Sequence, residues 1–170
     1  MRILVAVSTK SDNECADPVS LIASFPWPQA TTFQVITVAE VVHTAMVDVV
    51  PGTFDSPEIQ GKADSLAADI AESSAARLRD HGLKAESFSA EGNPQDLITD
   101  HAKQWNADLI VVGACDRSRI ERFFLGSVSQ SVVEHAPCSV LVVKPAAIEE
   151  NTVFQMEHGA ETSPVSARAA

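Results

Sequence analysis

The chain contains four short runs of apolar residues that do not alternate with polar ones. These runs cover residues 3–7, 33–39, 108–112 and 138–143, and a fifth segment, at 83–90, does alternate. A strand that is apolar at every position is buried on both faces, which is typical of a parallel sheet covered by helices. The alternating segment predicts a fifth strand that lies nearer to a sheet edge.

The longest helical pattern runs over residues 57–81. Ser56 is a suitable N-cap, Pro57 suits the first helical position, and Gly82 suits the position just after the helix. Apolar residues recur at helical spacing and predict one buried face. The members of this predicted face are Ile59, Ala63, Leu66, Ile70 and Leu78.

Shorter helices are predicted over 94–105, where Asn93 is the cap, and over about 127–135. Prolines confine the helix of the first connection to a short piece near 18–24. Strands that alternate with helices predict right-handed β-α-β units and a doubly wound α/β domain. Ligands of such domains bind outside the carboxyl ends of the strands, so the loops there are the segments to inspect for function.

Composition narrows the function classes. The 170 residues carry a formal net charge of −11, which disfavours nucleic acid and anionic membrane as partners. No apolar run approaches the roughly 18 residues of a membrane span. The three cysteines form no CxxC pair, so neither a disulfide framework nor a cysteine zinc site is expected, and a cytoplasmic location is the simplest. Residues 1–145 are predicted to form the domain and 146–170 a flexible acidic tail.

The loop after the fourth apolar strand carries the most chemistry. The strand ends at Gly113, a polar loop follows, and Gly126-Ser127 opens a helix. A helix N-terminus offers backbone N–H groups to an anion, and Ser127 is expected both to cap this helix and to present its hydroxyl to the same anion. The loop is locally cationic, which favours a phosphate-bearing ligand. Its charged residues are Asp116, Arg117, Arg119, Glu121 and Arg122. A Gly-Ser pair is, however, also common at helix starts where its role is only structural.

This strand–loop–helix–strand string resembles the universal stress protein family. Nucleotide-binding members of that family carry G-x2-G-x9-G-S/T at this place, followed by a helix, a turn and a last apolar strand. Gly113, the nine-residue spacer 117–125, Gly126 and Ser127 fall into register, and the turn is His135-Ala136-Pro137-Cys138. The resemblance covers residues 2–144. It implies a five-stranded sheet in the order 3-2-1-4-5 with helices on both faces.

The resemblance also implies a binding site for ATP or a related adenine nucleotide. Ser8 and the backbone of Val38 would contact adenine, whereas Gly113, Gly126, Ser127 and Val128 would hold the ribose and phosphates, with Asp116 and Arg117 beside them. Ser8 replaces the acidic residue usual in the family, and Asp116 replaces the second glycine. A carboxylate about 6 Å from a phosphate charge costs about 3 kcal/mol at an effective dielectric of ~20, unless arginines offset it or a shared Mg²⁺ reverses it.

Three functions therefore remain open. The first is an adenine-nucleotide-binding stress-response protein without fast turnover, which is not an enzyme. The second is a dimeric regulatory or interaction module of the same fold that has lost its nucleotide. The third, an enzyme acting on nucleotides, is disfavoured because the sequence shows no general base or metal-binding cluster. For either of the first two, a homodimer is expected through the last strand, Cys138 to Val143, whose outer edge would otherwise be unpaired.

Overall fold

The computed structural model describes residues 1–9, 16–40, 57–114 and 125–144. Within these ranges the chain forms five strands and four helices, which alternate. They are β1 (Arg2–Val7), α1 (Pro18–Ser24), β2 (Thr32–Ala39), α2 (Pro57–Asp80), β3 (Lys84–Glu91), α3 (Pro94–Trp105), β4 (Leu109–Gly113), α4 (Ser127–His135) and β5 (Ser139–Val143). The predicted Ser56 cap and the predicted tail at 146–170 lie outside the described residues.

The five strands form one parallel sheet in the order β3-β2-β1-β4-β5, which confirms the predicted order. β1 is the central strand, and Val5 is in register with Val35 of β2 and with Val111 of β4. Ile3, Leu4 and Val5 are wholly buried. Full burial of such a side chain contributes roughly 1.5–3 kcal/mol, so the continuous apolar run is what fixes β1 in the centre.

Helices cover both faces of the sheet, as predicted. α1 and α2 pack on one face and contribute Val19, Ile22, Ala75 and Leu78 to its core. α3 and α4 pack on the other and contribute Ile98, Ala102 and Val132. Asn93 caps α3 as expected, since its side chain accepts a hydrogen bond from the Gln95 N–H at 3.0 Å.

The buried face of α2 differs from the prediction. Its described buried apolar residues are Ala67, Ala71, Ala75 and Leu78, whereas Leu66 is 50% exposed. Each residue turns a helix by about 100°, so Leu66 points well away from a face that includes Ala67. Alanines on the inner face let α2 lie close to β2 and β3, which larger side chains in those positions would prevent. The prediction was therefore right for Leu78 and wrong for Leu66, while the other described members of the predicted face are half-buried.

Candidate functional site

A cavity of about 350 Å³ lies at the carboxyl edge of the sheet, where β1, β2 and β4 end. The chain leaves β1 toward β2 on one side and later returns to β4 on the other, so this is the topological switch point of the fold. Predicted site residues that line the cavity are Ser8, Val38, Gly113, Gly126, Ser127 and Val128. The other two, Asp116 and Arg117, lie outside the described residues.

The start of α4 forms one end of the cavity. Gly126 is the N-cap, with φ −56° and ψ 157°, and its carbonyl accepts the first helical hydrogen bond, from Gln130, at 2.9 Å. Among the described residues no side chain caps this helix. The prediction that Ser127 is the cap was wrong, because the cap position falls on Gly126, which has no side chain. The first N–H groups of α4 therefore lack intrahelical acceptors, and they mark a place that favours an anion.

A buried serine joins α4 to the end of β4. The hydroxyl of Ser129, which is 4% exposed, donates a hydrogen bond to the Gly113 carbonyl at 2.8 Å. This bond satisfies a buried polar group and holds the helix N-terminus against the strand end. Ser129 was not predicted from the sequence, because nothing in a linear pattern distinguishes a buried serine in the first turn of a helix from an exposed one.

Gly113 allows the segment after β1 to approach β4 closely. A Cβ on Gly113 would lie only 2.6 Å from the backbone oxygen of Ala16. Ala16 is held there by its own N–H, which donates to the Ala114 carbonyl at 3.0 Å. Because a backbone atom tied in this way cannot easily move, only glycine fits. The glycine is thus required by packing at the cavity wall, whatever the cavity binds.

An ion pair holds together the part of the cavity rim that lies beside α1. Asp17 caps α1, because one of its carboxylate oxygens accepts a hydrogen bond from the Val19 N–H at 2.9 Å. Its other oxygen accepts from the Ser20 hydroxyl at 2.7 Å and from the guanidinium of Arg77, on α2, at 2.6 Å. Burial raises the pKa of Asp17, but the hydrogen bonds from Arg77 and Ser20 and the charge of Arg77 outweigh it, so this pKa lies below its ordinary value. Asp17 and Arg77 both line the cavity.

The remaining lining is apolar except just after β1, where two hydroxyl-bearing residues lie, and at the end of β2. Ile36, Val38 and Ile98 supply apolar surface, and Glu40, the residue directly after β2, supplies a carboxylate. Glu40 and Arg77 were not predicted from the sequence, because they are charged and exposed like many surface residues. For Glu40 one signal existed, because it directly follows a buried strand at the edge where ligands of this fold class bind.

The described ranges contain neither a metal-binding cluster nor a helix that could span a membrane. Residues 1–9, 16–40, 57–114 and 125–144 contain no group of three or more His, Cys, Asp or Glu side chains arranged to hold a metal ion. None of the helices in those ranges is both long and apolar enough to cross a membrane. The cytoplasmic location stays a prediction.

The parallel sheet, the helices on both faces and the cavity at the switch point define a doubly wound α/β domain, a class whose ligands bind at this edge of the sheet. The model of the universal stress protein family matches residues 1–144. The chain belongs to that family.

Known relatives agree with this assignment. A Staphylococcus aureus (strain USA300) protein that carries the family's name is 50% identical over 54 residues, which are 31% of this chain and 32% of the relative's own length. The structure of a universal stress protein from Archaeoglobus fulgidus superposes with a TM-score of 0.64 at 23% identity, covering 85% of this chain and 98% of that one.

Two further solved structures contain nucleotides. A family protein from Arabidopsis thaliana with AMP bound has a TM-score of 0.53 at 20% identity, and the match covers 89% of this chain and 97% of that one. The Archaeoglobus fulgidus protein in complex with dAMP has a TM-score of 0.53 at 22% identity, with coverage of 85% and 98%. At these identities the likeness shows the shared fold.

Proposed function

We propose that this protein binds an adenine nucleotide in the cavity at the carboxyl edge, with the base toward β2 and the phosphate at the start of α4. One observation carries the proposal: the site residues that the family resemblance implied, which come from three strand ends and a helix N-terminus, surround a single cavity. Structural relatives crystallised with AMP, with dAMP and with cAMP support an adenine nucleotide as the ligand class. ATP is the member of that class that the sequence motif favours.

The chemistry of the lining suits the two ends of such a ligand. The first N–H groups of α4, which no described side chain caps, and the Ser127 hydroxyl are donors for phosphate oxygens. Val38, only 6% exposed, and the apolar residues beside it suit the faces of a purine. The start of α4 is held firmly, through Ser129 and Gly113, so that the donors are oriented before the ligand arrives.

The protein is proposed to bind its nucleotide without fast turnover. Rapid phosphate-ester chemistry needs a positioned base or a metal cluster. Of the two carboxylates in the described lining, Asp17 is held by Arg77 and by the α1 backbone, and no described lining residue is a histidine. A phosphate-release assay with ATP checks this point; release at tens of turnovers per second would contradict it.

The binding proposal is tested by acid extraction of the purified protein and by calorimetry with AMP and ATP. We expect an adenine nucleotide in the extract, and a dissociation constant that rises about tenfold in Ser127→Ala, since one donor to a charged phosphate is lost. Ser131→Ala is the matched control, because Ser131 lies one turn further along α4 and its hydroxyl lies near His135. If the protein binds neither AMP nor ATP, the proposal is wrong.

We propose that the charge of Asp116, which lies outside the described residues, weakens ATP binding. On this proposal Asp116→Gly removes a repelling charge and tightens ATP by at least about tenfold, an effect that salt screens. If Mg²⁺ shared with the phosphates reverses that effect instead, Asp116→Gly weakens ATP binding, and removal of Mg²⁺ by a chelator weakens it in the unmutated protein as well. Calorimetry of both proteins with and without Mg²⁺ separates these outcomes.

A dimeric interaction module is the second candidate function, and the exposed edge of β5 favours it. β5 is the last strand of the sheet, and its apolar residues Val140, Leu141 and Val142 are only half-buried. An apolar strand at a free edge is suited to pairing with a second copy of the chain. The two candidates differ in whether the cavity is occupied, so the extraction experiment also decides between them.

A further inference from the structure

The outer edge of β5 is apolar and open within the described part of the chain. β5 is the last strand of the sheet, and among the described strands it pairs with β4 alone. Val140 and Val142 pack against the core on one face and Leu141 on the other, yet all three remain half-buried. Because both faces have core contacts, the exposed surface of these side chains lies toward the outer edge. Unpaired backbone groups beside apolar side chains form a surface that accepts a further strand.

The sequence beyond β5 contains a segment with the composition of a strand. Residues 152–156 read Thr-Val-Phe-Gln-Met, and β-branched and aromatic residues favour strands. If the segment is extended, Thr152, Phe154 and Met156 share one face. Glutamates stand on both sides of it, at positions 149, 150 and 157. Charges that flank an apolar segment protect it from pairing with other chains, which is typical of a strand that forms within its own chain.

The connection between β5 and this segment is long enough for the two to pair. Residues 145–151 form the link, and a link of that length can span about 23 Å, whereas neighbouring strands lie about 5 Å apart. A chain that turns back after β5 runs antiparallel to it, which is the arrangement that a short connection allows. The segment would be present at the edge at an effective concentration on the order of millimolar, which a second copy in dilute solution does not reach.

We propose that residues 152–156 add to the outer edge of β5 as an antiparallel strand and compete there with a second copy of the chain. The two occupants exclude each other, because both bind the same backbone N–H and C=O groups. A dimer therefore forms through this edge only from chains whose segments have been released. This inference goes beyond the proposed function, because it does not depend on whether the cavity holds a nucleotide.

The expected effect follows from the weakness of a short strand. One strand of five residues on a flexible link is marginally stable, so we expect it to occupy the edge about nine-tenths of the time. Amide exchange at the edge is then about tenfold slower than in a chain whose edge is open. Two chains must both release their segments to form one dimer, so the segment raises the dissociation constant of the dimer about 100-fold.

Phe154→Asp in the full chain tests the proposal, because a charge replaces the largest apolar side chain of the segment. The Val143 carbonyl accepts from the Ala114 N–H at 2.7 Å, so Val143 faces β4 and the N–H groups of Val140 and Val142 point to the outer edge. Hydrogen exchange of these two amides is measured by NMR at a concentration where light scattering gives the mass of a monomer. We expect them to exchange about tenfold faster in Phe154→Asp than in the unmutated protein.

The dissociation constant of the dimer gives a second measurement. Light scattering over a range of concentrations should show a dimer that is about 100-fold tighter in Phe154→Asp. The added charge by itself would weaken the association of two chains that each carry a net charge of −11, so a tighter dimer has to come from the loss of competition. Val165→Asp is the matched control, because it adds the same charge to the tail outside the segment.

Faster exchange in the Phe154→Asp monomer or a tighter Phe154→Asp dimer, with no change in Val165→Asp, supports the inference. If the two edge amides exchange alike in all three monomers and the dissociation constants are also equal, the inference is overturned and the proposed function stands. Protection of these amides that appears only at concentrations where the protein is a dimer also overturns it, because a second copy is then the occupant. Thermal melting of both variants, expected to stay within a few degrees of the unmutated protein, shows that the domain remains folded.

Discussion

Gly113→Ala is expected to lower stability by about 2–3 kcal/mol and to weaken nucleotide binding by at least about tenfold. The new Cβ would lie 2.6 Å from the Ala16 oxygen, so the segment after β1 must move away from β4. That movement breaks the bond from the Ala16 N–H to the Ala114 carbonyl and displaces Asp17, which caps α1. The melting temperature should fall by roughly 4–12 °C. Calorimetry with AMP measures the loss of binding.

Gly61→Ala is the matched control for this experiment. Gly61 lies within α2, and an added Cβ there meets nothing within 4 Å. Because alanine stabilises a helix by about 1 kcal/mol relative to glycine, Gly61→Ala should raise the melting temperature of the protein. If Gly113→Ala melts and binds like the unmutated protein, the close approach of Ala16 is not a constraint, and the structural role given to Gly113 is wrong.

Val142→Pro is expected to convert a homodimer into a monomer. The Val143 carbonyl accepts from Ala114, which follows β4, so the backbone groups of Val143 point inward. Backbone groups alternate in direction along a strand, so the N–H of Val142 points to the free edge. Proline therefore removes a donor from the outer edge and spares the bonds to β4. By symmetry each dimer loses two bonds, about 2–3 kcal/mol, and its dissociation constant rises about 30- to 160-fold.

Val142→Thr is the control for the edge experiment, because threonine has a similar shape and keeps the N–H. It should remain a dimer when its mass is measured by light scattering at several concentrations. A mass of 18.1 kDa for the unmutated protein would show that the chain is a monomer and would refute the proposed dimer. A dimer that persists in Val142→Pro would place the interface elsewhere.

The local pattern of apolar and polar residues was sufficient to predict most of the elements of the fold. The apolar runs at 3–7 and 108–112 are continuous, and a buried parallel strand is the structure that accommodates such a run. Asn93 followed by Pro94 predicted the start of α3 correctly, because a side-chain cap is an interaction between near neighbours. The order of the strands came from the resemblance to a family, since periodicity says nothing about which strands are neighbours.

The candidate site was predictable only in part. Gly113, Gly126 and Ser127 were identified in advance because they belong to one loop with a recognisable spacing. Glu40 and Arg77 were not, because each reaches the cavity from a separate element that only the crossover connections bring to this edge. Identifying a residue is also easier than assigning its role: the cap of α4 proved to be Gly126, although the sequence favoured Ser127.

The amino-acid sequence by itself determined the elements of this protein and the edge of the sheet where its cavity lies. Tertiary structure decided which side of α2 faces the core, since alanines that permit close approach to the sheet prevailed over the more hydrophobic Leu66. It also decided why Gly113 must be glycine, because the constraint is the backbone oxygen of Ala16, 97 residues earlier in the chain. Both outcomes depend on distances between segments remote in sequence, and a linear pattern contains no information about those distances.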